Sequence, residues 1–270
     1  MHQKKQLRSL MSSHKRKFMI GKPKVGYWIL FLLLSTNLSW AQQNYFNIPS
    51  GDITQPGKVF YQHQINVYSL NKMESKSQLV VGIGRNWETG FNIVDLPLNF
   101  DGTSKILGSN DDPSAMPLYP LAMFTMQKQF RLDETIGFNL GTQAGANLTG
   151  EAANVRFAHF TYALMEYHVP DKGHWTVGTY VSNEVYTGSP GNVIGWMAGF
   201  DFPISRHFWL MGDIVSGNNK KSHTTLGGVY NIGHRVQICA AALLPFPNRS
   251  LQGGMVLELN LYGWNWDENH

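Results

Sequence analysis

The sequence predicts an all-β protein: an antiparallel transmembrane β-barrel of about 12 strands, preceded by a cleaved signal peptide. Three observations lead there. A basic start runs into a short apolar stretch, Val25 to Thr36, and leaves it through small and polar residues. From residue 57 to residue 262 the chain repeats period-2 alternation between turn signals, the signature of strands with two different faces. The connections between these runs alternate in length, mostly short then long, as they do between the two rims of an outer-membrane barrel.

Residues 1–24 carry Lys4, Lys5, Arg8, Lys15, Arg16, Lys17, Lys22 and Lys24 and no acid. With the apolar run and the exit Ser39-Trp40-Ala41 they read as a secretory signal over 1–41, whose start could equally be Met11 or Met19. An uncleaved anchor is the alternative, but the apolar core is short for a span of about 20 residues. The chain holds 22 basic and 18 acidic residues; without the 8 basic residues of the signal, 14 face 18. The basic balance therefore belongs to the export signal, and a nucleic-acid partner is not expected. One cysteine, Cys239, excludes an internal disulfide. No later run is apolar enough for a membrane helix, and a membrane protein without spanning helices must close its strands into a barrel.

Residues 42–56 read as an irregular periplasmic lead-in, 57–262 as the barrel and 263–270 as a polar tail. The first strand is expected over 57–68. The second and third form a hairpin over 76–95 about Arg85-Asn86, in which Leu79, Val81 and Ile83 share one face, as do Trp87, Thr89, Phe91 and Ile93. The others are expected over 118–131, 135–148, 154–169, 174–186, 192–204, 207–216, 223–231, 235–244 and 253–262. Short turns fall at Arg85-Asn86, 132–134, 170–173, Ser205-Arg206 and 232–234. Mostly longer loops fall at 69–75, 97–117, 149–153, 187–191, 217–222 and 245–250.

Parity gives the faces. Ile136, Phe138, Leu140 and Ala144 point outward while Gly137, Asn139, Gly141 and Gln143 point inward; Met255, Leu257, Leu259 and Leu261 point outward, with Glu258 and Asn260 inward. Trp87, Tyr167, Trp175, Trp196, Trp264 and Trp266 fall near strand ends, where interfacial aromatic girdles lie. A soluble sandwich, β-helix or lipocalin-like barrel would also alternate, but would carry charges outside. The inward ionisable residues are Glu88, Arg131, Arg156, Glu166, Glu184, Asp201, Asp213 and Glu258, the expected lining. They would either select permeants or pair into a plug that holds the barrel closed.

The lead-in from Phe46 to Phe60 and the hairpin from Val81 to Ile93 resemble Gram-negative outer-membrane barrels, nearest a transporter-like family related to the phenol-degradation outer-membrane (MetA-pathway-like) proteins. Gly82, Gly84, Glu88 and Gly90 occupy that family's hairpin positions. The resemblance implies an outer-membrane protein concerned with passage of small molecules, and carries over no catalytic residue. Many such barrels end on an aromatic that assists assembly, whereas this chain continues to His270.

No catalytic constellation stands out. His159, Thr161, Glu166 and His168 cluster on the sixth strand, but His159 and Glu166 have opposite parity, and Gly-x-Ser-x-Gly is missing. His63 and His159, on the outward parity, mark local irregularity. Asp101-Gly-Thr and Asn110-Asp-Asp-Pro113 lack the EF-hand spacing, and no metal or cofactor is expected. The loop 98–116 is the expected functional appendage, folded over or into the pore. The leading expectation is a channel or transporter for small molecules. A non-conducting structural or binding barrel is the second and a barrel hydrolase the third. The expected partners are outer-membrane lipid, a small permeant, and the barrel-assembly machinery during biogenesis.

Overall fold

A computed structural model describes residues 44–102, 106–169, 172–246 and 252–265. The expected signal peptide and Trp266 lie outside them. The fold is a closed antiparallel barrel of 12 strands, each hydrogen-bonded to its sequence neighbours, with the first pairing the last. The strands are β1 (Lys58–Ser69), β2 (Lys72–Gly84), β3 (Trp87–Asn99), β4 (Leu121–Arg131), β5 (Ile136–Asn147), β6 (Phe157–Val169), β7 (Gly173–Ser182), β8 (Ile194–Pro203), β9 (Phe208–Val215), β10 (His223–Ile232), β11 (Val236–Pro245) and β12 (Gly254–Asn265). Closure runs from Lys58↔Asn265 to Val67↔Met255, with one irregularity between Val59 and Tyr61. Every strand edge thus has a partner, which is what hydrocarbon demands of a spanning sheet.

The faces follow the expected parity. Outside, Leu79, Phe91 and Phe124 lie side by side across β2, β3 and β4, each about half exposed. Leu140, Met165, Val177, Leu226, Ile238 and Leu257 continue this apolar surface on other strands. In water it would be a large exposed patch; in a bilayer it is matched by acyl chains. Outward His63 is accommodated because Nδ1 meets the Ser77 hydroxyl of the neighbouring strand at 2.8 Å. Outward His159 stacks on Phe157, ring centroids 5.9 Å apart. Tyr167 and Trp175 meet at 6.0 Å near the β6–β7 turn, and Trp175 meets Phe202 at 5.0 Å, as in a girdle at the short-turn rim.

Several element boundaries differ from those expected. The loop expected at 69–75 shrinks to Leu70-Asn71, because Ser69↔Lys72 and Val67↔Met73 extend the β1–β2 pairing. The seventh strand stops at Ser182, and Glu184–Thr187 form one helical turn, α1, with its chain reversal completed by Gly188 at φ 83°. The last strand runs on to Asn265, three residues beyond its expected end. Arg85 and Asn86 both have positive φ, 52° and 59°, the geometry of a two-residue hairpin turn whose twist matches its strands.

The segment 44–56 is irregular, as a lead-in should be, but it runs inside the barrel. Its end meets the wall where Pro56 bridges Gly82 and the Gly57 N–H donates to the Gly82 carbonyl at 2.9 Å. From there it crosses the lumen, past β3, β4 and β7 near their short-turn ends to β9 and β10 near their long-loop ends, and returns to β1 and β2. Tyr45, Phe46 and Ile48 pack with Phe160, Tyr162, Leu164, Met197 and Met211 in one apolar cluster within the barrel. Full burial of three such side chains contributes about 1.5–3 kcal/mol apiece as an upper estimate.

Candidate functional site: a vestibule floored by the N-terminal segment

The floor is built by hydrogen bonds from the segment to inward side chains. Glu88 Oε2 accepts from the Thr54 backbone N–H at 2.8 Å and the Thr54 hydroxyl at 2.9 Å. Asp213 Oδ2 accepts the Asn47 N–H at 2.5 Å, while the Asn47 amide donates to Thr225 Oγ1 at 2.7 Å. The Thr176 hydroxyl donates to the Ser50 carbonyl at 2.5 Å, and Gln129 Nε2 to the Gly51 carbonyl at 3.3 Å. The Asn44 amide donates to Gln62 and Gln78 at 3.0 and 3.1 Å. Glycine on the inner wall makes room: a Cβ at Gly82 would lie 2.2 Å from the carbonyl oxygens of Thr54 and Gln55, and one at Gly199 would lie 2.4 Å from the Tyr45 ring.

A cluster of acids surrounds His174 beneath this floor. Asp52 Oδ2 and Asp201 Oδ2 each lie 3.9 Å from Nδ1, and Glu166 Oε2 lies 3.7 Å from Nε2. Asp52 belongs to the segment, Glu166 to β6 and Asp201 to β8, so the cluster couples the segment to two walls. Burial pushes the Asp52 carboxyl above its ordinary range, with His174 pulling the other way.

Above the floor, on the long-loop side, lies a vestibule of about 700 Å³ that reaches Asn47 and Gln64 at its base. The loop after β3 lines part of its rim through Gly108, Ser109, Pro117 and Tyr119. Mutual Asn110–Tyr119 backbone bonds brace it internally, and the Leu118 N–H, donating to the Val185 carbonyl of α1 at 3.2 Å, fastens it there. Leu118 is wholly buried against Val94, Leu121 and Val185. The loop expected at 98–116 therefore begins later, since β3 continues to Asn99, and it folds over the mouth.

Charge in the vestibule is mixed. Lys221 Nζ contacts both carboxylate oxygens of Asp95 and sits 4.8 Å from the centre of the Tyr186 ring. Burial works against the Lys221 charge, but Asp95, Tyr186 and Glu74 outweigh it and raise its pKa. Burial, followed by the neighbouring Lys221, lowers that of Lys220. Burial pushes the Tyr186 hydroxyl up to about 12.

Of the eight residues expected to line the lumen, Glu88, Glu166, Asp201, Asp213 and Glu258 are buried inside it, none more than 6% exposed. Arg131 is exposed at the end of β4, its Nε 3.3 Å from Gln129 Oε1. Arg156 precedes β6, where its guanidinium donates to the Ala153 and Val155 carbonyls at 2.8 and 2.9 Å. Glu184 opens α1 on the exposed side. Arg156 and Glu184 lie outside the strands, so strand parity does not govern where they point. Reading the sequence missed His174, which parity places inward, and Asp52, Asn47 and Lys76. The apolar triplet Tyr45, Phe46 and Ile48 just before the first strand was the available signal.

The fold and the site define a closed barrel with an apolar outside, a lumen crossed by its own N-terminal segment, and a vestibule at the long-loop rim. No protein-family model matches the chain, and no curated protein sequence matches it. Among solved structures, a KdgM porin in complex with disordered oligogalacturonate matches over 76% of this chain and 98% of its own, at 8% identity and a TM-score of 0.48. KdgM porin by itself covers 77% and 98% at 6% identity and 0.47, and a Pseudomonas aeruginosa FadL homologue covers 76% and 89% at 9% identity and 0.35. At TM-scores below 0.5 these likenesses carry nothing about what this barrel passes or holds, and none bears the name of the phenol-degradation-related group.

Proposed function

We propose that the chain is an outer-membrane barrel for entry of small molecules, closed at rest by residues 44–56. The observation that carries this reading is the vestibule together with the segment beneath it: a solute-sized chamber on the long-loop side that reaches Asn47 of the segment at its base, where Asn47 is held by Asp213 and Thr225. Such a floor can leave without breaking the barrel, because the wall's own ladder is complete without it. The apolar outside supports a bilayer location, and the expected signal supports export. Passage then requires the segment to shift, exposing the inward acids Glu88, Glu166, Asp201 and Asp213.

The test is single-channel recording in planar bilayers of the refolded mature protein beside a variant lacking residues 42–53. The full chain should be silent or open only briefly, and the shortened one should give steady steps. A second reading, a non-conducting binding barrel, draws on the core-like packing of Tyr45, Phe46 and Ile48. A shortened barrel that shows heat-modifiable migration yet passes no current would establish that reading and sink the first.

A further inference from the structure

One cation in the vestibule stands apart from the rest. Lys76 lies on the inner face of β2, cross-strand from Gln64, and lines the base of the cavity. Lys221 is held by Asp95, Lys72 lies over the Tyr68 ring at 5.7 Å, and Lys220 Nζ donates to the Met116 carbonyl at 3.3 Å. Lys76 makes no hydrogen bond and no ion pair among the described residues. Its field contains Glu258, Asp213, Asp95 and Lys221, and none of the three acids makes an ion pair with it among the described residues. Glu258 Oε1 accepts from the Asn260 amide at 2.6 Å, Asp213 holds Asn47, and Asp95 holds Lys221.

Two further polar atoms at the same cavity are buried without a hydrogen-bond partner: Nε2 of His223, which can donate to an anion, and Oε1 of Gln64, which accepts only and so calls for a donor and not for a carboxylate. Gln64 spends its amide on Asn47 and Asn66, at 3.2 and 2.9 Å. Buried polar atoms are normally satisfied, so a donor-capable orphan, His223 Nε2, in the cavity that also holds an unpaired ammonium marks a place where a ligand's anionic end belongs. The walls beside them are apolar: Tyr68, Phe160, Val215 and Leu243.

We propose that the vestibule floor binds a small organic carboxylate, its charge on Lys76 and its apolar body against Tyr68, Phe160 and Leu243. A single ammonium with three rotatable donors suits one carboxylate. No arginine lines the cavity among the described residues, so the bidentate fork that favours phosphate groups is not provided. A volume of about 700 Å³ is in the range of small-molecule sites and exceeds what an inorganic anion needs. The inference rests on the vestibule being the entry chamber proposed above, and it names the class of solute that chamber takes.

The experiment is calorimetric titration of the refolded mature protein in detergent micelles with benzoate and with benzamide, its neutral analogue. Wild type should bind benzoate saturably and benzamide at least about tenfold more weakly, the scale of one charge-assisted hydrogen bond. Lys76→Met should lose about tenfold or more towards benzoate, Lys76→Arg should retain most of it, and Arg85→Met, at the opposite rim, should change nothing. No saturable benzoate binding to a heat-modifiable barrel, equal binding of the two ligands, or an unchanged affinity in Lys76→Met would each overturn the site. The comparison of two ligands on wild type needs no variant to fold. Carboxylate binding to a barrel that stays silent after removal of 42–53 would reject the transport reading and leave the site standing. Conductance without benzoate binding would do the reverse.

Discussion

Glu88 Oε2 holds both the backbone N–H and the hydroxyl of Thr54, a two-point clamp from β3 onto the segment that crosses the lumen. One carboxylate oxygen thus satisfies a buried amide that water does not reach. Removing it should free the segment more than it harms the barrel, because Glu88 takes part in the strand ladder only through its backbone. Glu88→Ala leaves the Thr54 amide without that acceptor. The expected cost to docking is on the order of 2–3 kcal/mol, or roughly 30–150-fold in the ratio of docked to released segment. In bilayer recordings the open probability should rise accordingly, while migration of the unheated protein stays that of a folded barrel. An open probability equal to wild type would show that Glu88 does not govern closure.

Gly82 tests the same contact by crowding. A Cβ there meets the carbonyl oxygens of Thr54 and Gln55 at 2.2 Å, and backbone atoms cannot swing aside as a side-chain tip can. Gly82→Val should displace 54–56 from the wall and raise conductance. Gly150→Val is the matched control, since a Cβ at Gly150 meets nothing within 4 Å. If both variants stay as silent as wild type, the segment does not seal the lumen at this point.

Why the barrel could be read from the sequence and its contents could not is a matter of range. The faces of β5, β11 and β12 follow from a period of two, which is written between neighbouring residues, and closure follows from repeating it. The segment has no such period. Its partners lie far along the chain: Asn47 reaches Asp213, 166 positions away, and Ser50 reaches Thr176, 126 away. Nor does a period of two show that Gly82 and Gly199 leave room because Gln55 and Tyr45 press against them. Parity also misled where it was carried past strand ends, as for Arg156 and Glu184. In place of the expected salt-bridged plug the lumen holds a chain segment and an apolar cluster, with His174 and its acids at one edge.

On the proposed reading, Asp52 should make docking of the segment depend on pH. Its carboxyl is shifted upward by burial, against the opposing pull of His174. Below about pH 4 the group is neutral whether the segment is docked or released. As pH rises, the released form loses its proton first, and above the raised pKa the docked form must carry a buried charge. The contribution of Asp52 to docking is therefore present at low pH and lost as pH rises through the docked value. Asp52→Asn is neutral throughout, so relative to wild type it should dock alike near pH 4 and more firmly near pH 8. Open probability measured at both values reads this difference. A variant-to-wild-type ratio that is flat with pH would exclude Asp52 as a contributor.

The apolar outside can be tested without any reference to the lumen. Phe91 is 51% exposed at the middle of β3, flanked by Leu79 and Phe124 on the adjoining strands. In water, replacing an exposed aromatic by arginine would change stability by a few tenths of a kcal/mol. In a bilayer the same change puts a charge among acyl chains, at a cost of about 2–4 kcal/mol near the midplane. Phe91→Arg should therefore lower folding stability by that amount in lipid vesicles, measured by denaturant titration. Leu132→Arg, in the exposed turn after β4, should be close to neutral. Equal, small effects at both positions would mean that this face does not meet lipid. A large loss at Phe91 alone would place it in hydrocarbon, because a half-exposed ring gives up little packing within the protein, and only acyl chains around the new charge could set so high a cost.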